Sequence, residues 1–458
     1  MRVLIAGGGE VAALVARRLA LEGNEVVLVE QTPDRCAELE SALDARVFRG
    51  SATSVRTMRE AGIRETDLLI AVTDDDKVNL LACLIGQAEA PTCVKVARVR
   101  THEIHEWQEV CATAGLRIDH IIHPETEMVR RLLPVLGAPG VSDIIDFAGG
   151  QIKVFGLNLE ATHWAVGKSM EDLDRAGPPV NSLIAMIFRG SQVIVPRGGD
   201  VLREGDQVFV ITRASDLEED LRFMGVTPQE KLSRVFILGG KQVGIQIAME
   251  LESQGVAVKL FERNLERCEK ISQLLRKTVV VHGDGTDEAT LVEEHVEGAD
   301  VFLSLTNDDE DNIIASLLAR RLGVKKVAAL VNRLNYLPMA QRLGISTTVS
   351  PRVAAVDAIM RFVRKGRVQS VTTFRQEEAE AIELVATEGS KYVGRPLREL
   401  RLPEGCIVGA IARPSGETMI PRGNAQIEAG DRVIFFALEN VVPKLERMFL
   451  ADRSKGRG

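Results

Sequence analysis

This sequence of 458 residues has few cysteines and no closely spaced pair among them. The six, Cys36, Cys83, Cys93, Cys111, Cys268 and Cys406, contain no C-x-x-C pair. That excludes a zinc ribbon and a dithiol redox site, and leaves small buried hydrophobes in a reducing cytoplasm. A basic balance is lacking too: 57 Lys and Arg stand against 65 Asp and Glu, a net charge of -8. A chain so charged has no surplus with which to displace phosphate counterions, so it does not read as a nucleic-acid binder. No apolar run approaches the roughly 20 residues that cross a bilayer, so any membrane role must work through a partner. The first 23 residues imitate a signal peptide only superficially, because Glu10, Arg17 and Arg18 interrupt the apolar stretch. They read as a strand, a turn and a helix.

What is present is a globular composition, long enough for roughly three or four domains. Near its start, "VLIAGGGEVA" (3 to 12) puts Gly7, Gly9 and Ala12 in G-x-G-x-x-G/A spacing between a strand-like run and the helix-like "EVAALVARRLALEG". Such spacing suits a nucleotide-binding turn, or an ordinary tight turn of the same shape. Context decides between them. "VFILGGKQVG" repeats the arrangement 232 residues later, with Gly239, Gly240 and Gly244 where Gly7, Gly8 and Ala12 stand. At the same offset Glu30 maps to Glu262 and Arg35-Cys36 to Arg267-Cys268. After one inserted residue, "RGSAT" (49 to 53) faces "HGDGT" (282 to 286), and "AVTDDDKVN" (71 to 79) faces "SLTNDDEDN" (304 to 312). The chain contains an internal duplication.

Each copy alternates strands and amphipathic helices, which implies a parallel sheet covered on both faces, over 1–123 and again over 232–349. A proline and a helix-periodic stretch follow each sheet, giving linking helices over 124–142 and 350–367, the first ended or kinked by Pro134. Behind them, 143–227 and 368–453 share Val-Gly (166, 393), Pro-Arg-Gly (196, 421) and G-D-x-V (205, 430). These segments read as small β-rich α+β modules, and the shared residues as fold-making turns rather than a ligand site. The fold class is therefore α/β: a tandem duplication of a Rossmann-like parallel-sheet lobe, a linking helix and a small β-rich lobe.

In the first sheet domain the glycines admit a diphosphate while the following helix points its free amides at it. Glu30, 21 residues after Gly9, ends the second strand, where a carboxylate accepts from both ribose hydroxyls and disfavours a 2′-phosphate. NAD(H) or ATP/ADP is expected over NADP(H). Ser51, Thr73 and Asp74 lie at carboxyl ends of strands beside the same crevice, although Thr73, Asp74 and Asn79 equally match an N-cap and first helical turn. Arg98 ends the fifth strand within reach of a phosphate, and its counterpart is taken to be Val331. In the second copy Lys241 replaces the second glycine. It either crowds a pyrophosphate or neutralises it. Gly239, Gly244, Glu262, Asp284 and Thr306 keep a site there. His102 and His105 have no third convergent ligand, so no metal site is expected.

The residues "IAGGGEVA", "VVLVEQ", "GSAT" and "AVTDDDKVNLLAC", with their second-half counterparts, resemble the TrkA family, tandem-RCK regulatory subunits of bacterial Trk potassium uptake. The resemblance covers nearly the whole chain. It implies nucleotide contacts at Gly7, Gly8, Gly9, Glu10, Val11, Glu30, Ser51, Thr73, Asp74 and Arg98. In the second half it implies them at Gly239, Gly240, Lys241, Gln242, Val243 and Glu262. It also implies a homo-oligomer, a tetramer, held peripherally on the cytoplasmic face of the inner membrane by the channel subunit TrkH and gating potassium uptake. Ala12, Ser51 and Lys241 depart from the commonest family residues. The rival class is an NAD(H)-dependent oxidoreductase, for which the β-rich modules offer one histidine, His163, with no counterpart in the second copy.

Overall fold

A computed structural model describes residues 1–100, 110, 113, 115–138, 140–177, 182–190, 192–226, 232–345, 347–363, 368–374, 379–390 and 392–449. His102 and His105 lie outside the described residues. The chain divides into two compact units, one of residues 1–128 and 351–363, the other of 129–350 and 364–458.

In the first unit, six strands form one parallel sheet: β1 (Arg2–Ala6), β2 (Glu25–Glu30), β3 (Arg46–Arg49), β4 (Leu68–Ala71), β5 (Val94–Arg98) and β6 (His120–Ile122). The spatial order is β3-β2-β1-β4-β5-β6. The β-branched and aliphatic residues of the central strands β1 and β4 are buried on both faces, as parallel strands require. Because the order reverses beside β1, the helices after β1 and β4 leave on opposite faces and a crevice opens between them at the carboxyl ends. Helix α1 (Glu10–Leu21) buries Val15, Ala16 and Leu19 in one core with Ala355, Val356, Ala358, Ile359 and Met360 of the helix Pro351–Val363. A helix from far along the sequence therefore completes the first Rossmann-like lobe. Inside this contact Arg18 and Asp357 form an ion pair at 3.6 Å, both side chains almost wholly buried.

The second unit repeats the sheet with β12 (Arg234–Leu238), β13 (Ala257–Glu262), β14 (Val279–His282), β15 (Val301–Ser304), β16 (Lys326–Leu330) and β17 (Thr347–Val349), in the order β14-β13-β12-β15-β16-β17. Pro134 acts as its missing N–H dictates. The helix Pro124–Leu132 ends before it and the 3-10 turn Leu133–Val135 follows. Lys326 Nζ closes this turn, donating to the carbonyls of Val135, Ala138 (2.7 Å) and Val141 (2.9 Å). Burial pushes its pKa down to about 7, with Asp143 opposing.

Two antiparallel sheets complete the unit. The first comprises β7 (Val141–Phe147), β8 (Ile152–Asn158), β9 (Ser182–Arg189), β10 (Gln192–Ile194) and β11 (Gln207–Arg213). The second comprises β18 (Val368–Phe374), β19 (Ala379–Val385), β20 (Cys406–Ala412), β21 (Thr418–Met419) and β22 (Arg432–Leu438). Phe188 and Phe209 of one and Phe374 and Phe436 of the other share a core. The repeated Gly-Asp pairs are turns: Gly205 and Gly430 have φ of +79° and +89°. Asp206 is wholly buried and takes two hydrogen bonds of 2.8 Å from Arg189. That is a structural role. No helix among the described residues is long and apolar enough to cross a membrane.

Breaking a buried ion pair leaves an uncompensated charge. Asp357→Leu is therefore expected to cost about 3–5 kcal/mol in denaturant unfolding. Adding Arg18→Met should recover most of the loss; a single-variant cost within experimental error would show that the pair carries no stability.

Candidate nucleotide site

The turn after β1 is built from three glycines with different duties. Gly7 has φ +113°, and a Cβ there would lie 3.1 Å from Thr73. A Cβ on Gly8 would meet the Glu30 carboxylate at 2.6 Å. Gly9, the N-cap of α1, faces open space instead: nothing lies within 4 Å of where its Cβ would be. The first two glycines make the turn, and the third leaves the approach to the helix amides clear.

The Glu30 carboxylate accepts from the amides of Gly8 (2.7 Å) and Thr32 (2.8 Å), which places it beside the turn. Arg35 braces the other side, its Nε donating to the Gly8 carbonyl at 2.7 Å. The second copy repeats the device. Glu262 accepts from Gly240 (3.2 Å) and Asn264 (3.0 Å), and Arg267 donates to the Gly240 carbonyl at 2.9 Å. Repetition in the sequence marked these arginines without revealing their task. Cys36 and Cys268 donate to the carbonyls of Glu30 and Glu262 at 3.3 and 3.4 Å. Burial, then the neighbouring glutamate, raises both thiol pKa values, so they behave as packed side chains.

The threonine-asparagine cluster is a strut. Asn79 is wholly buried; its Oδ1 accepts from Thr73 N (2.8 Å) and Oγ1 (2.7 Å), and its Nδ2 donates to the carbonyls of Thr73 (3.0 Å) and Arg98 (2.8 Å). Asn312 repeats all four with Thr306 and Leu330. The match corrects one correspondence: the counterpart of Arg98 is Leu330 rather than Val331, because the inserted residue is lost again before β16. The helix Asp76–Glu89 is capped by Asp75, not by Thr73 or Asp74. Asp74 is thus left free of capping duty, with an exposed carboxylate.

Cations gather around that carboxylate. Arg98, almost wholly buried, reaches it at 2.7 Å and Arg100 at 3.1 Å. Desolvation pushes the Asp74 pKa up, but the hydrogen bond and charge of Arg98, with Arg100 and Arg352, outweigh it and hold the carboxyl below its ordinary value. Arg98 Nη2 also donates to the Thr73 carbonyl (2.7 Å), while its Nε is buried without a hydrogen-bond partner. Glu10, the first residue of α1, pairs with Arg352. Val11 points into the core, so only its backbone faces the turn. Ser51 folds onto Thr53, Oγ to Oγ1 at 2.8 Å, at the carboxyl end of β3.

The second copy differs at the corresponding places. Lys241 takes the open N-cap position with φ -84° and ψ -177°, extended backbone close to that of Gly9 (φ -65°, ψ 179°), so its side chain is the whole difference. Desolvation pushes its ammonium pKa down, Arg267 reinforces that and Glu262 opposes it. Gln242 opens the helix and Val243 is buried. Across the mouth, Arg263 bridges Asp284 (2.7 Å) and Asp311 (2.9 Å). No cluster of three or more His, Cys, Asp or Glu fit for a metal occurs among the described residues.

Comparison with known proteins places these features in a family. The TrkA-N domain model matches residues 3–124 and 235–351, and the TrkA-C domain model residues 154–225 and 381–450. The Trk system potassium uptake protein TrkA of Halomonas elongata is 36% identical, with 98% of each chain covered. That of Haemophilus influenzae is 34% identical over the same shares. Among solved structures, the GsuK RCK domain superposes with a TM-score of 0.59 at 20% identity, covering 98% of this chain and 94% of that one. The GsuK channel bound to NAD gives 0.59 at 20%, covering 98% and 78%. At that identity the likeness speaks for the fold.

Removing the strut tests the architecture apart from any ligand. Asn79→Ala would leave the buried Arg98 carbonyl and the part-buried Thr73 amide without their partner, at a cost of about 1–3 kcal/mol for the buried group and less for the other. A thermal melt of Asn79→Ala should show the loss, and an unchanged melting temperature would show that the strut is dispensable.

Proposed function

Because the chain belongs to the TrkA family, we propose that it is a nucleotide-sensing regulatory subunit of a potassium-uptake system. The observation that carries this reading is the turn at Gly9, where nothing lies within 4 Å of a Cβ position at the start of α1, with Glu30 bonded to the Gly8 amide and the buried Arg98 paired with Asp74. Gly7, Gly8, Gly9 and the amides of Glu10 and Val11 cradle the phosphates of NAD(H) or ATP/ADP. Glu30 exchanges its two backbone amides for the ribose hydroxyls, and Ser51, Thr73 and Asp74 line the crevice. In the second copy Gly239, Gly240, Lys241, Gln242, Val243 and Glu262 form the corresponding site, with Lys241 neutralising phosphate charge.

Domains follow the duplication: sheet lobes at 1–123 and 232–349, linking helices at 124–142 and 350–367, and β-rich lobes at 143–227 and 368–453. The protein assembles as a tetramer on the cytoplasmic face of the membrane, bound peripherally to a TrkH-type channel subunit, and eight lobe pairs close a ring. Nucleotide shifts gating because it binds the open and closed rings with different affinity. The subunit catalyses no reaction. An NAD(H)-dependent oxidoreductase would need an acid or base over the nicotinamide, and His163, the histidine of the β-rich lobes, is spent on the Met224 carbonyl at 2.7 Å.

Calorimetric titration tests the sites. Glu30→Ala should weaken nucleotide binding by about 1.5–3 kcal/mol, the scale of a charged hydrogen bond, and Glu262→Ala by less. Lys241→Gly should raise dinucleotide affinity if the side chain crowds the phosphates; a loss would make the ammonium a ligand. Unaltered binding in Glu30→Ala removes that residue from the site.

Flux tests the function. Potassium flux through reconstituted TrkH should respond to ATP, ADP or NADH only when this protein is present. Equal flux under all these conditions defeats the sensor reading, and hydride transfer by the isolated protein would replace it with the oxidoreductase.

A further inference from the structure

We propose that Arg352, which belongs to the second half of the sequence, is a ligand for the terminal phosphate of a nucleoside triphosphate at the first site. The inference rests on the nucleotide reading above and extends it to the residue that distinguishes a triphosphate from a dinucleotide. Arg352 opens the helix Pro351–Val363, which is held against α1 by a buried apolar contact and by the Arg18–Asp357 pair. Its guanidinium is thereby delivered to the first turn of α1, where it pairs with Glu10. Neither side chain is buried by the contact: Arg352 keeps 35% of its exposure and Glu10 47%.

Arg352 is one of three arginines that converge here. Arg98 and Arg100 both pair with Asp74, and the charge of Arg352 also lowers the Asp74 pKa. Among the described residues the exposed carboxylates of Glu10 and Asp74 pair with these three guanidinium groups beside the N-terminus of α1, and the Glu125 carboxylate also acts on Arg98. One donor is left over inside the group, the buried Nε of Arg98. This is an anion site whose occupants are the protein's own carboxylates, held in a geometry a phosphate can take over.

A pyrophosphate over Gly7 to Gly9 satisfies the helix amides in either class of nucleotide. A dinucleotide then continues as a second ribose and a base that carry no negative charge. A triphosphate instead ends in further negative charge, which repels Glu10 and releases Arg352 to pair with the terminal phosphate. The second copy offers no equivalent of this cluster at the Asp74 and Arg98 positions, where Asn307 and Leu330 stand.

The test is isothermal titration of the full-length protein with ATP and with NADH. Arg352→Gln should lower ATP affinity about tenfold, the scale of one charged hydrogen bond, with NADH changing less than about twofold; Arg352→Lys should recover part of the loss. Glu10→Gln should raise ATP affinity, because it frees Arg352 and removes a repelling carboxylate. Glu10 is exposed and Arg352 half-buried, and a thermal melt of each variant checks that folding survives the substitution. Equal losses for ATP and NADH in Arg352→Gln, or unchanged ATP affinity in both variants, would overturn the assignment while leaving the nucleotide site standing. A wild-type protein that binds neither nucleotide would retire the site itself.

Discussion

The reversal of strand order beside β1 is the constraint from which the candidate site follows. A parallel sheet can be closed only by crossovers that cover its faces, and where consecutive crossovers go to opposite faces nothing covers the strand ends between them. That uncovered place falls between β1 and β4 in the first lobe and between β12 and β15 in the second. Backbone amides at such an edge must still be paired. The two asparagines serve this need, tying the loop after the fourth strand to the end of the fifth in each lobe. Glu30 and Glu262 serve it at the glycine turns. Both carboxylates are bound to amides, and under the proposed function a ribose competes for them.

Duplication gave the same scaffold twice, and the two mouths then diverged in their charged residues. In the first, nothing stands where a Cβ on Gly9 would lie, and Arg98, Arg100 and Arg352 pair with the exposed carboxylates of Asp74 and Glu10. In the second, Lys241 occupies the open position and Arg263 ties together two aspartates across the entrance. The backbone tolerates this divergence because the second glycine of the fingerprint has an ordinary extended conformation in both copies. The first glycine could not have changed so freely: at φ +113° and +110°, Gly7 and Gly239 are in a region that L side chains rarely adopt.

Much of this was legible in the residues alone. The alternating strands and helices, the two glycine turns, the acidic residue at the end of each second strand and the proline that ends the first linking helix all lie in short, contiguous stretches whose chemistry is local. Their repetition supplied the confidence that one copy lacks. Local reading failed where neighbouring residues compete for one task. Thr73, Asp74 and Asp75 are all able to cap a helix, and backbone geometry chose Asp75. Counting along a constant offset failed at Arg98, because an insertion in one loop was offset by a deletion before β16.

By itself, then, the sequence determined the fold of each lobe and the position of each glycine turn, since both depend on contacts within a few tens of residues. Only the tertiary structure decided that the helix Pro351–Val363 completes the first lobe, that Asp357 meets Arg18 in its core, and that Arg352 arrives beside Glu10, 342 residues away. The physical reason is that an amphipathic helix announces which face it must bury but not against which partner. In a duplicated chain two similar apolar surfaces compete for that face. The Arg18–Asp357 pair and the shared apolar core exist only once the distant residues are brought together.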